Sequence, residues 1–157
     1  YAVWYVWVNP TLGGELSLPA LLGLLALSLA LAAVHELIHG LVWSRFAFGG
    51  FRSIEFGVVW SALSPYCTCA EPMKKWQYAL GCAMPTLVLG FGLGAVSIYM
   101  GWRIPFLLSL LMLLGGGGDF CILLKLLFYR PKGETVYCDH PYEVGLVAFE
   151  RAAAGGR

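Results

Sequence analysis

A chain of 157 residues suits a single domain. Hydrophobic residues make up 59% of it and charged residues only 12%, about half the charged share of ordinary soluble domains. So small a water-soluble fold has too much surface to hide that apolar content. A net charge of +1 without any strongly basic stretch leaves no basis for a nucleic-acid partner.

In chain order, the apolar opening YAVWYVWV reads as the stump of a membrane segment or an interfacial anchor. Three stretches then reach the roughly 20 residues a bilayer-crossing helix needs: 18–43, 76–100 and 104–129. Trp43, Trp76, Trp102 and Tyr129 mark their ends, where amphipathic rings favour the headgroup region. A short link, Met100 to Arg103, makes the second and third stretches a helical hairpin. Arg45, Arg52, Lys74 and Lys75 lie between the first and second stretches, and Lys125, Arg130 and Lys132 follow the third. The positive-inside rule therefore puts the 44–75 loop and the C-terminal side in the cytoplasm, as expected of a multi-pass membrane protein. The first and third stretches then run in the same direction.

Within the 44–75 loop, Ile54, Phe56, Val58 and Trp60 alternate with other residues, the pattern of a strand with one buried face. A short β hairpin or sheet at the cytoplasmic interface is expected there, on an otherwise all-α membrane core of three transmembrane helices. Residues 1–150 are taken as one integral membrane domain and 151–157 as an added tail outside the fold. The five cysteines are odd in number and match no zinc-ribbon spacing. Cys67 and Cys69 form a CxC that could touch a metal or redox centre, although free thiols in a reducing compartment are the plainer reading. Cys138, Asp139, His140 and Glu143 are rich in ligand types but read as a polar cytoplasmic tail, with Asp139 and His140 capping or gating a site.

The chemistry concentrates in HELIHG at 35–40. On a helix, residues four apart share a face, so His35 and His39 can reach one ion. Glu36 is offset by about 100°, beside the metal, where it can take a proton from bound water. An acidic group at mid-membrane costs at least roughly 2.5–3.5 kcal/mol, and metal coordination offsets that cost directly. A zinc hydrolase needs a third protein ligand and one open position. Asp119 follows four glycines, 15 residues past Ile104, while His35 lies 17 past Leu18. At 1.5 Å per residue the two sit at similar depth if their helices run the same way. Four consecutive glycines imply either close backbone approach or a locally unwound segment that aims the carboxylate.

HELIHG in an apolar helix, with an Asp after glycine in another, resembles the site-2-type intramembrane zinc metalloproteases. In those the third ligand is an Asp of a short Asp-Gly motif near the N-end of a helix, whereas Phe120 follows Asp119 here. Gly81 to Pro85 (GCAMP) is similar to the small-residue-plus-proline stretch of their central helix, without the Asn found beyond it. The three blocks HELIHG, GlyGlyAsp at 117–119 and DHPYEVG at 139–145 resemble more closely the family named Putative zincin peptidase, small bacterial membrane proteins. That resemblance implies a three-helix metalloprotease core holding Zn2+ through His35, His39 and Asp119.

The expected activity is hydrolysis of a membrane protein or peptide substrate by a zinc-dependent endopeptidase, with Glu36 as catalytic base and the active site in the cytoplasmic half. Ile54, Phe56 and Val58 lie on a strand that could take an extended substrate by edge pairing. The competing reading is a metal-ion or proton-coupled transporter using the same His and Asp side chains.

Overall fold

The computed structural model describes residues 2–9, 17–60, 64–131, 133–140 and 145–150. Helix α1 (Ala2–Val8) precedes the 27-residue α2 (Leu18–Ser44), which at 1.5 Å per residue is about 40 Å long. Only 6% of the most apolar part of α2 is buried. A helix exposing leucines on all sides has no stable place in water, so its length and composition suit a bilayer. A second candidate span, Lys75–Met100, is built from α3 (Lys75–Pro85), a π-helical stretch (Thr86–Gly92) and α4 (Leu93–Met100). Pro85 denies the helix one backbone donor, and the wider turn follows it directly.

The third expected stretch is broken. Helices α5 (Arg103–Gly115) and α6 (Gly117–Phe128) are bent by 45° at Gly116, and they make a third span only if the broken pair is counted as one. After proline, glycine is the residue that most readily leaves a helix. Close approach holds at Gly116 alone, where a Cβ would stand 2.5 Å from Thr86 Oγ1. Gly115, Gly117 and Gly118 meet nothing within 4 Å.

Two compact units divide the chain. The first comprises Tyr1–His35 and Pro85–Gly117. In it Tyr5 stacks on Phe106 at 3.7 Å, and the Asn9 amide donates to the Tyr5 and Ile98 carbonyls. Gly101 closes α4 in the left-handed conformation, at φ 69°, which costs glycine nothing. The buried hydroxyls of Ser97 and Ser109 donate to Leu93 O and Phe106 O in their own helices, so neither is left unsatisfied among apolar neighbours.

The second unit, Glu36–Met84 and Gly118–Arg157, holds the strands. Strands β1 (Ile54–Val59) and β2 (Ser64–Cys69) pair antiparallel, with Ile54 opposite Cys69 and Val59 opposite Ser64. The hairpin expected in the 44–75 loop is therefore present. Its buried face is shorter than the alternation implied: Ile54 is buried, but Phe56 and Val58 are 45% and 41% exposed and Trp60 more so. The reason is geometric, since only the base of a two-stranded ribbon reaches the core. The C-terminal segment corrects a second expectation. It is no polar tail, because β3 (Thr135–Asp139) and β4 (Leu146–Glu150) form another antiparallel hairpin. Met73 and Tyr137 exchange both backbone hydrogen bonds at 2.8 Å. Tyr137 joins Trp43, Met73, Tyr78, Cys82 and Leu126 in the core. His140 donates its N–H to Gly145 O, while the proposed tail 151–157 and Glu143 lie outside the described residues.

Candidate metal centre

His35, His39 and Trp43 fall at four-residue intervals on α2, so they share one stripe. All three are buried, at 8%, 3% and 3% exposure. The His39 ring stacks on Trp43 with centroids 5.0 Å apart, and Trp43 in turn stacks on Tyr78 and donates its Nε1–H to the Tyr78 carbonyl. His39 Nδ1 lies 2.9 Å from the Gly81 carbonyl oxygen. A carbonyl can only accept, so Nδ1 carries the proton in that bond, and the neutral ring keeps its lone pair on Nε2. Nε2 faces Asp119 Oδ2 at 3.3 Å.

Asp119 stands in the first turn of α6, where the positive end of the helix dipole favours a carboxylate. Ligand atoms of His35, His39 and Asp119 all lie within 4.8 Å of one another. Glu36 follows His35 on α2 and is half-buried. Gly40, which closes the motif, has a packing cause: a Cβ there would meet Phe56 at 2.6 Å and Ile54 at 2.9 Å. The bare backbone lets the β1 hairpin lie against α2 beside the histidines.

Among the described residues, neither Cys67, Cys69, Asp139 nor His140 joins the ligand cluster. Burial, reinforced by the charges of Glu36 and Asp139, pushes the Cys67 thiol well above its usual range. Burial likewise raises Cys69. Asp139 has another task. Its carboxylate accepts from the Tyr78 hydroxyl and, at 2.8 Å, from the Cys69 N–H, tying β3 to β2 and α3. Burial raises its pKa despite those two donors.

The sequence profile of the family named Putative zincin peptidase matches residues 28–133. The chain belongs to this family. The match covers His35, Glu36, His39 and Asp119, and the third block at 139–145 lies beyond it. Searches among curated proteins and among solved structures each find no match. Zincin membership implies zinc, and the donor set fits that ion. Nitrogen and oxygen ligands at 2.0–2.1 Å on a tetrahedral ion stand about 3.3 Å apart, the separation already present between His39 and Asp119. Two lone pairs facing each other at that distance repel unless a proton or a cation lies between them.

Sequence reasoning brought His35, His39 and Asp119 together but missed what surrounds them. The Gly81 carbonyl carries no side-chain signal. Trp43 could have been found, since it continues the 35, 39 stripe by one more turn.

Proposed function

We propose that the protein is a membrane-embedded zinc metallopeptidase of the site-2 kind, acting on membrane-associated protein or peptide substrates. The observation that carries the proposal is the meeting of two buried imidazoles of one apolar helix with a carboxylate 80 residues away, beside Glu36. His35, His39 and Asp119 would hold the ion, three protein ligands being the pattern of catalytic zinc. Bound there, zinc supplies a Lewis acid and lowers the pKa of its water toward about 7.

The chain's own residues supply the rest. Glu36, one residue past His35, takes the proton from the attacking water and returns it to the leaving amine. Asp119, in the first turn of its helix, would balance the charge of the cation. Strand β1 receives the substrate: Phe56 and Val58 are exposed apolar side chains on a two-stranded ribbon, and an extended segment added at its edge would present an unwound peptide bond. A substrate still helical has its carbonyls engaged. Loop charge supports a site in the cytoplasmic half of the membrane, and we take residues 1–150 as one domain.

The deciding experiment is zinc content and cleavage of a membrane-protein substrate in detergent. Wild type should hold one zinc and cleave, whereas Glu36→Gln should keep the zinc and lose cleavage. A Glu36→Gln variant that cleaves at the wild-type rate overturns the role of the base. A wild type that binds no zinc overturns the site.

A further inference from the structure

Within an α-helix, the carbonyl of residue 81 accepts from the N–H of residue 85. Residue 85 is Pro85, which has no N–H, and it lies inside α3. The Gly81 carbonyl is therefore released from its own helix, and the buried donor that meets it is His39 Nδ1 at 2.9 Å. A freed carbonyl in an apolar span must find such a partner, because lipid offers none. The approach is possible because residue 81 has no side chain: a Cβ there would stand 1.8 Å from Trp43 Nε1. The glycine admits α2, and the proline supplies the acceptor.

We infer that Pro85 is a positioning residue for His39: it frees the Gly81 carbonyl to hold Nδ1–H, which fixes the tautomer and aims the Nε2 lone pair at Asp119. The hydrogen bond stands on the geometry alone, and its consequence for metal rests on the zinc reading above. A metal-binding imidazole needs its outer nitrogen held, and losing such an outer partner costs about 10–100-fold in affinity. In Pro85→Ala the residue regains an N–H, the helix reclaims the Gly81 carbonyl, and His39 Nδ1 loses that acceptor.

The test is nitrogen NMR of histidine-labelled, metal-free full chain in detergent at alkaline pH, beside a zinc titration. The chain has three histidines, so His35→Asn and His140→Gln variants assign the signals. The expected result is a protonated Nδ1 at His39 in wild type, a fraction with bare Nδ1 in Pro85→Ala, and zinc bound about 10–100-fold more weakly by that variant. Wild-type His39 found with a bare Nδ1 overturns the inference, and this measurement stands even where Pro85→Ala fails to fold. A folded Pro85→Ala that keeps both the tautomer and the zinc affinity overturns it equally. A wild type that shows Nδ1–H at His39 but holds no zinc refutes the metallopeptidase proposal while sustaining the positioning bond.

Discussion

The two halves of α2 are one unbroken helix with opposite surroundings. Over 18–34 all but Pro19, Gly23 and Ser28 are leucine, alanine or valine, and most of these residues are exposed. From 35 to 44 the stripe of His35, His39, Gly40 and Trp43 is buried. Two glycines measure the contrast: Gly23 has nothing within 4 Å of a notional Cβ, whereas Gly40 meets Phe56 and Ile54. Apolar residues bare to the surroundings and polar residues buried is the inverse of a water-soluble helix. It is what a bilayer requires, because there the costly groups must be enclosed by protein.

Substitutions can break that contrast, beginning where the effect is largest. Replacing His39 with Ala removes a direct ligand, so zinc affinity should fall by more than the roughly 100-fold that loss of an outer-shell partner can cost. Metal analysis after dialysis checks it, and the same change at Leu25 in the exposed half should leave metal content unaltered. Trp43→Ala empties the stack between His39 and Tyr78, at a cost of about 3–5 kcal/mol for a buried large aromatic. A shift of the thermal midpoint in detergent reads that loss. Gly40→Ala forces a methyl against Ile54 and Phe56, and overpacking of this kind costs about 1–3 kcal/mol. Gly23→Ala meets nothing and should be neutral or stabilising by up to about 1 kcal/mol. Equal responses of the two glycines would erase the distinction between the halves.

A smaller effect should appear just past the buried half. The Glu71 carboxylate accepts from Ser53 Oγ and from the Gly49 and Phe48 N–H groups, which hold it below the ordinary 4.5. A depressed folded value means that the contribution is complete above about pH 4.5 and is lost as pH falls through Glu71's own lower value. Melting curves across that acid range should slope in wild type and flatten in Glu71→Gln. Identical slopes would show that this loop does not depend on the Glu71 charge.

Much of the fold could be read from local pattern. The ends of the first two spans fall within a residue or so of 18–43 and 76–100, because turn-by-turn hydrophobicity and terminal aromatic residues are properties of a single helix. The strand at Ile54 was legible for the same reason, but not how little of it is covered. Burial of Phe56 and Val58 depends on a second layer that alternation cannot report. The β3–β4 hairpin was hidden by its polar ligand-type residues, which suggested a tail. Tyr137, sunk in the core and paired through its backbone with Met73, anchors the segment together with Asp139.

The sequence by itself determined that His35 and His39 share a face one turn apart with Glu36 beside them, since helical geometry relates residues four apart without help from the rest of the chain. It also made Asp119 a candidate, through depth counted at 1.5 Å per residue. Only the tertiary structure decided that Asp119 meets His39 at 3.3 Å and that the Gly81 carbonyl, 42 residues from His39, holds the other side of the ring. Contacts between distant segments depend on how helices approach. That approach is settled by where a missing side chain leaves room and where a missing N–H leaves an acceptor, both visible only once the helices are packed.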